Sequence, residues 1–258
     1  NKIVVQAGEL VLAYKRQHKS IEVDFKSDGS PVTVIDKQAN EFIVSALTSL
    51  TPGVAIVSEE GSNTPLVYPS GDFWLADPID GTKGFITGLK DYTVNIALVR
   101  DGAAELANLY APEMNMLYYA SVGQGAFMKS HRANAVRIHV SHEVPWRSVI
   151  GRFHNPDRLR KIMGEHIQEN ILQVNSSLKL AMVAAGQVDL YPRLGPTSGW
   201  DTAAGQVIVE QAGGVLVDFS GKKLQYVAGG SVLNPEFFAC SDPAIVPDVL
   251  KIHNNLRS

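Results

Sequence analysis

Asp77 and Asp80 stand three residues apart in Asp77-Pro78-Ile79-Asp80-Gly81-Thr82, a turn-forming stretch that also carries a glycine and a hydroxyl. Two acidic groups so close repel each other unless a cation lies between them. A hard divalent ion with oxygen ligands, Mg²⁺ above all, is the usual answer. Asp-Gly and proline turns are common on any surface, so the argument needs the other acidic stretches. Ser58-Glu59-Glu60 lies upstream and Gly199-Trp200-Asp201-Thr202-Ala203-Ala204-Gly205 far downstream. Singly, Glu59-Glu60 reads as a solvated pair and Asp201 as a helix cap. Jointly, Glu59, Asp77, Asp80 and Asp201, with the carbonyl of Ile79, offer enough oxygen ligands for two Mg²⁺ ions. Two such ions roughly 3.5–4 Å apart can activate a water and stabilise the leaving oxygen of an in-line displacement. Gly81 lets the backbone approach a phosphate, and the N–H groups of residues 81 and 82 can donate to it at a helix start. The pattern predicts a metal-dependent phosphatase.

The elements that must position these groups are legible as apolar runs. Val54-Ala55-Ile56-Val57 reads as a buried strand delivering Ser58-Glu59-Glu60, and Phe73-Trp74-Leu75-Ala76 does the same for Asp77. An amphipathic helix is expected over residues 2–18, then a polar turn, Lys26-Ser27-Asp28-Gly29-Ser30-Pro31. A second helix runs through Ala39, Phe42, Ile43, Ala46, Leu47 and Leu50, with Asp36 expected as its N-cap. Residues 92–99 and 105–111 look like paired strands around the Asp101-Gly102 turn, and residues 116–120 and 125–128 extend that antiparallel pattern. From about residue 140 strands and helices alternate. A charged helix is expected near 156–165. A second covers 177–185 with Ser177 as N-cap and Gly186 as stop, and a third spans 203–212, capped by Asp201 or Thr202. A domain boundary is expected near residue 135, between an α+β half (1–135) and an α/β half (136–258).

Composition narrows the partners. The 258 residues are 45% hydrophobic and 19% charged, ordinary for a globular chain able to bury a sizeable core. A formal net charge of −3 gives no basic footprint for a nucleic-acid polymer. The single cysteine, Cys240, excludes an internal disulfide and fits a reducing compartment. No apolar run approaches the length of a membrane span, and the N-terminal stretch has helical spacing rather than a signal-peptide core. A soluble, cytoplasmic protein is expected. Asn1 stands where a gene product has methionine, which predicts that residues precede it.

The set Val32-Thr33-x-x-Asp36, Ser58-Glu59-Glu60, Asp77-Pro78-Ile79-Asp80-Gly81-Thr82 and Trp200-Asp201-Thr202-Ala203-Ala204-Gly205 resembles the inositol monophosphatase superfamily of lithium-sensitive Mg²⁺ phosphatases. The resemblance runs through nearly the whole chain in the family's order. Ser30-Pro31-Val32-Thr33, Asp80-Gly81-Thr82-Lys83-Gly84-Phe85, Tyr92-Thr93-Val94-Asn95-Ile96-Ala97-Leu98, Ser176-Ser177-Leu178-Lys179, Tyr191-Pro192-Arg193-Leu194-Gly195-Pro196-Thr197 and Leu233-Asn234-Pro235 look like the CysQ-type 3′(2′),5′-bisphosphate nucleotidases within it.

The resemblance implies a layered α/β/α/β/α sandwich of two closely packed subdomains. It places Glu59, Asp77 and the Ile79 carbonyl on a first metal and Asp77, Asp80 and Asp201 on a second. Asp36 and Thr82 become the pair that orients and deprotonates the attacking water. The implied reaction is hydrolysis of the 3′-phosphate of adenosine 3′,5′-bisphosphate to AMP and phosphate, linked to sulfate assimilation. Two Mg²⁺ are implied, with Glu60 a candidate for a third. Glu59, Ile79, Asp80, Gly81, Thr82 and Asp201 would meet the scissile phosphate, and Ser176, Ser177, Lys179 and Arg193 the second one. Arg152 and His154 fall where the subfamily carries a Ser-Arg-Ser-His-like loop, from which Gly151 and Phe153 depart. Asn175 and Gly84 stand where relatives often carry glycine and glutamate. The sulfated nucleotide is a second candidate substrate. A monomer is expected, in the cytoplasm or peripheral to a bacterial inner membrane. One alternative is a phosphatase of the same fold acting on inositol or sugar phosphates, which would not need Lys179 and Arg193 together. Another is a non-catalytic nucleotide or metal sensor, which should have lost a ligand or the Asp36–Thr82 pair; all are present.

Overall fold

Successive residues of the central strands alternate between two apolar clusters, and this alternation sets the layers of the molecule. The computed structural model describes residues 1–18, 20–26, 29–61, 67–130, 133–141 and 143–254. Ser27 and Asp28 of the expected polar turn lie outside them.

The larger sheet has seven strands in chain order: β3 (Ala55–Ser58), β4 (Phe73–Asp80), β5 (Thr93–Arg100), β6 (Ala103–Ala111), β7 (Met116–Ser121), β8 (Gly125–Ser130) and β9 (Val136–Ile138). Only the β3–β4 pair is parallel; the rest form an antiparallel meander. Before it come helix α1 (Lys2–Gln17), the short ribbon β1 (Val23–Phe25) and β2 (Pro31–Thr33), and helix α2 (Val34–Leu50). Trp74, Ala76, Ile96 and Leu98 face one way and pack with Val4 and Ala7 of α1 and Ile43 and Leu47 of α2. Phe73, Leu75, Ala97 and Val99 face the other way. The expected turn at Asp101-Gly102 joins β5 to β6, and both residues have positive φ, +48° and +77°. That is the backbone a tight two-residue hairpin requires.

The second half supplies the remaining layers. It contains β10 (Val149–Gly151), α4 (Pro156–Met163), β11 (Leu172–Val174), α5 (Leu178–Ala184), β12 (Leu190–Arg193), α6 (Gly199–Gln211), β13 (Val215–Asp218), β14 (Phe237–Cys240) and α7 (Val246–Asn254), with the short α3 (Thr82–Ile86) left between β4 and β5. β10 and β11 pair in parallel, while β12-β14-β13 form an antiparallel sheet. Phe237 and Ala239 of β14 point inward and join one core with Leu180 of α5, Val207 of α6 and Leu75 of the large sheet. Phe238 and Cys240 point outward onto Leu159 of α4 and Val249 of α7. The order is helices, sheet, helices, sheet, helices, the α/β/α/β/α sandwich expected from sequence.

Two expected caps are displaced, and a third, Ser177, stands at its expected N-cap position without a capping side-chain bond. Helix α2 begins after Thr33, and Asp36 sits at the third position of its first turn, accepting from Thr33 N at 2.8 Å. Helix α6 begins after Ser198 rather than at Asp201 or Thr202, and Asp201 accepts from Ser198 N at 2.8 Å. In both, the carboxylate reaches back to the N-cap amide, the acidic half of a capping box. Ser177 precedes α5 but its side chain does not cap it; Ser176 Oγ accepts from Leu178 N at 3.2 Å instead.

Candidate metal and phosphate site

A bulge in β4 puts Asp77 and Asp80 on one face. With a side-chain period of two, residues three apart would point to opposite faces of a strand. Here Asp77 pairs with Asn95 and Asp80 with Thr93, three residues on β4 against two on β5. The extra residue resets the alternation, and Pro78, with no N–H to give to the ladder, falls inside it. Asp77 thus follows Phe73 and Leu75 onto the face covered by α6, which brings Asp201. Because β3 runs parallel to β4 with Ser58 opposite Ala76, Glu59 emerges beside Asp77, and its N–H donates to Ala76 O at 3.1 Å.

Carboxylate oxygens of Glu59, Asp77 and Asp201 lie within 4.8 Å of one another. Burial first, and the neighbouring carboxylates next, hold the Asp77 carboxyl well above the usual range. Burial, Asp80 and Glu59 push Asp201 up to about 8. Burial also raises Glu59, against the pull of Lys26. Asp77 Oδ1 accepts from Ile79 N at 3.0 Å, whereas Asp77 Oδ2 is buried with no hydrogen-bond partner among the described residues. An orphaned buried oxygen inside a set of mutually repelling carboxylates is what a hard divalent ion would satisfy. The residues present fit Mg²⁺.

Asp80 stands at the edge of this set, its Oδ2 accepting from Ser177 N, from Asn95 Nδ2 at 3.2 Å and from Thr93 Oγ1 at 3.4 Å. Gly81 follows with φ +93°, a conformation glycine adopts without strain. Thr82 Oγ1 lies 2.9 Å from Ile79 O and 3.4 Å from Asp36 Oδ1. The structure thus brings Asp36, Thr82 and Ile79 together, with the shorter bond going to the carbonyl. Burial, and beyond it Glu59, raise the Asp36 carboxyl to about 6 despite the hydrogen bonds from Thr33.

Lys26 was not singled out by sequence reasoning, because nothing local links it to residues 33 positions away. Its Nζ lies 2.8 Å from Glu59 Oε1 and 2.6 Å from Glu60 Oε1. Glu60 therefore turns away from solvent. The ammonium neutralises carboxylates that a metal would otherwise neutralise, so the two compete. Lys26→Met should tighten Mg²⁺ binding about fivefold, an effect of about 1 kcal/mol, and lower the melting temperature of the metal-free protein by about 2–4 °C. Titration calorimetry and thermal melts read both effects; an unchanged Mg²⁺ affinity would remove Lys26 from the site.

Beyond Asp80 and Asp201 opens a cavity of about 210 Å³, also lined by Ser176, Lys179, Tyr191 and Arg193. Lys179 is buried, its ammonium donating to Ser176 O and lying 5.1 Å over the Tyr191 ring. Burial lowers its pKa to about 8. Arg193, at the end of β12, gives Nη2 to Pro196 O at 2.7 Å, and its Nε is buried with no hydrogen-bond partner among the described residues. Arg152, Phe153 and His154 form the far wall. Gly151 leaves room for the His154 imidazole, and Phe153 is 54% exposed with Lys83 Nζ 5.0 Å over its ring. Asn175 and Gly84 offset each other: a Cβ at Gly84 would collide with Asn175 Nδ2. The asparagine fills the space the glycine leaves. Asn234 also serves the site, donating to Ser198 O at 2.7 Å and Thr202 Oγ1 at 3.0 Å and so fastening the turn that presents Asp201.

Known proteins are similar to this chain over most of its length. The sequence profile of the inositol monophosphatase family matches residues 1–249. The 3′(2′),5′-bisphosphate nucleotidase CysQ of Salmonella typhimurium is 39% identical over 90% of this chain and 94% of its own length. The nucleotidase of the same name from Aggregatibacter actinomycetemcomitans is 33% identical over 92% of this chain and 89% of its own. Among solved structures, an IMPase from Thermotoga maritima superposes with TM-score 0.79 and 31% identity, covering 98% of this chain and 94% of its own. CysQ from Bacteroides thetaiotaomicron superposes with TM-score 0.76 and 31% identity, covering 93% and 94%. The chain belongs to the inositol monophosphatase family.

Proposed function

We propose that this chain is a Mg²⁺-dependent 3′(2′),5′-bisphosphate nucleotidase that hydrolyses adenosine 3′,5′-bisphosphate to AMP and phosphate. The observation that carries the reading is a second cationic pole, Lys179 and Arg193, in the same cavity as Asp80 and Asp201. A monophosphate ester needs a metal-binding carboxylate set but has no use for these two cations together; a second phosphate would use both.

Glu59, Asp77 and the Ile79 carbonyl would hold one Mg²⁺, and Asp77, Asp80 and Asp201 another. Bound there, the ions supply Lewis acidity toward the scissile phosphate and neutralise the charge that develops in the displacement. The chain's own groups do the rest. Asp36, unprotonated above about pH 6, accepts the proton of the attacking water through the Thr82 hydroxyl, which can receive from that water while donating to Asp36 Oδ1. Ser177 N, Asn95 and Thr93 fix the Asp80 carboxylate so that it cannot swing toward the incoming phosphate. Gly81, Thr82, Ser176 and Ser177 line the phosphate path, and Arg193 Nε, which has no hydrogen-bond partner among the described residues, receives the 5′-phosphate. The wall at Arg152, Phe153 and His154 faces the nucleoside.

The same reading takes the sulfated nucleotide as a second candidate substrate and places the enzyme in sulfate assimilation, as a monomer of two subdomains, 1–135 and 136–258, sharing one core. It places the enzyme in the cytoplasm, free or peripheral to the inner membrane. No helix among the described residues is long and apolar enough to cross a membrane.

The test compares adenosine 3′,5′-bisphosphate with inositol 1-phosphate on wild type and Arg193→Met. Each charge-assisted hydrogen bond lost is worth about 1.5–3 kcal/mol, so the preference for the bisphosphate should fall on the order of ten- to a hundredfold, mostly through KM. Equal effects on both substrates would mean that Arg193 only braces Pro196. A wild type that prefers inositol 1-phosphate would replace the nucleotidase reading with that of a sugar-phosphate phosphatase.

A further inference from the structure

Asp91 takes no part in the reaction as derived above, yet three donors from two walls of the cavity converge on one of its oxygens. It lies just before β5 and is 4% exposed. Its neighbour Tyr92 packs edge-on against Phe85 with ring centroids 5.0 Å apart, inside the cluster that holds Ile35 and Ile79. The carboxylate is therefore mounted on the same rigid block as the Asp77–Thr82 turn. Its Oδ2 accepts from Arg152 Nε at 3.0 Å and Nη2 at 2.6 Å, and from the backbone N–H of Asn175 at 3.0 Å.

Each donor belongs to a segment that lines the cavity. Arg152 begins the stretch carrying Phe153 and His154, which is tied from behind by Gln173 Nε2 donating to Arg152 O at 3.2 Å and His154 O at 2.9 Å. Asn175 precedes Ser176, whose φ of +57° is one that a residue with a side chain keeps only when its surroundings impose it. The Asn175 side chain reaches the opposite wall, Nδ2 donating to Gly81 O at 3.4 Å, and the next amide but one, Ser177 N, donates to Asp80. Asp91 Oδ2 thus ties the 152–154 loop to the 175–177 loop, and the Asn175 side chain carries that link on to the 81–84 turn. A charge-assisted fork to a guanidinium is stiff as well as strong.

We propose that Asp91 is a positioning residue that sets the width of the substrate cavity, holding the Phe153–His154 and Ser176–Ser177 walls in register with the Asp80–Gly81 turn. The consequence for substrate rests on the reading of this cavity as the substrate site; the latch itself does not.

Amide hydrogen exchange on metal-free protein tests the latch without any substrate. In Asp91→Ala, amides of residues 151–155 and 175–177 should exchange at least about tenfold faster, while β4 to β6 stay as protected as in wild type. Asp91→Asn keeps an acceptor for Asn175 N but loses the ion pair, and Arg152→Met removes the guanidinium. Both should loosen 151–155 more than 175–177, and they decide the matter if Asp91→Ala does not fold. Unchanged exchange in these two segments, or equal acceleration over the whole chain, overturns the proposal. The kinetic readout uses whichever phosphate ester the wild type hydrolyses. KM should rise about tenfold in Asp91→Ala while kcat stays within about threefold, because Glu59, Asp77 and Asp201 are untouched. Faster exchange with an unchanged KM would also overturn it. A wild type inactive on adenosine 3′,5′-bisphosphate would sink the nucleotidase reading and leave the exchange result standing.

Discussion

Asp77→Asn should lower kcat/KM at least about a thousandfold and at the same time make the metal-free protein more stable. The first effect follows from the shared position of Asp77: it is the ligand that both proposed metals have in common, so its loss weakens both. The second follows from the electrostatics of the empty cluster. Asp77 is buried with an orphaned Oδ2 and repelled by Glu59, Asp80 and Asp201. An asparagine keeps the Oδ1 acceptor for Ile79 N and turns the orphan into a donor facing two carboxylates. We expect a gain of about 2 kcal/mol near pH 8, or roughly 4–8 °C in melting temperature.

The pH dependence has a definite sign. A carboxyl whose pKa is higher folded than unfolded contributes stability that is fully present below its unfolded value and is lost as pH rises through the folded one. For Asp201, raised from 3.8 to about 8, the window is about pH 4 to 8. The metal-free melting temperature should therefore fall across that range, and less steeply in Asp77→Asn, where one repelling charge is gone. Saturating Mg²⁺ should reverse the slope. A variant with near-wild-type Mg²⁺-dependent turnover, or one less stable than wild type without metal at pH 8, would break the assignment.

How much of this was legible in the sequence depends on whether the signal was local. The unbroken apolar run Phe73-Trp74-Leu75-Ala76 is a local signal of a buried strand and located the start of β4, although that strand runs on through Asp77 to Asp80. The stretch Asp77-Pro78-Ile79-Asp80 reads locally as a proline turn; it is instead a bulge inside β4, and the facing of Asp80 depends on register with β5. The caps were misplaced for one reason. An acidic side chain at the N-cap and one at the third helical position both accept from helix-start amides, and only the place where the chain leaves extended geometry separates them. Thr33 and Ser198 were the alternatives, and both precede the acid by three residues. Ser177 does stand at the N-cap of α5 as the sequence suggests, but its hydroxyl is taken up by Asn95 and Thr93 instead of the helix amides. Lys26, Asp91 and Asn234 act only through partners far away in the chain, so their roles appear once the fold brings those partners near. For Asn234 the Leu233-Asn234-Pro235 motif was at least noticed.

Asp36→Asn should cost about a hundred- to ten-thousandfold in kcat/KM, the range expected when a positioned general base is removed, while barely altering metal binding. The Asp36 carboxyl, raised to about 6, is poised for this task and hydrogen-bonds to the Thr82 hydroxyl. Glu59 contributes to that elevation, so neutralising Glu59 with a bound cation lets the Asp36 pKa settle at or below 6. The wild-type kcat/KM profile should then show an acid limb there, with activity lost as pH falls through it. Asp36→Asn should abolish that limb.

The structural cost is small and separable. The Asp36 carboxylate caps Thr33 N at 2.8 Å, and an amide oxygen can keep that bond, so the helix should lose about 1 kcal/mol or less. Thr82 supplies the cross-check. Thr82→Val removes the hydroxyl that stands between Asp36 Oδ1 and Ile79 O and should fall into the same activity range, whereas Thr82→Ser should restore most of the rate. If Asp36→Asn stayed within tenfold of wild type, or if serine at position 82 rescued no better than valine, the proton would have to leave by another route. Glu59 and Glu60, whose charges reach Asp36, would then be the carboxylates to test.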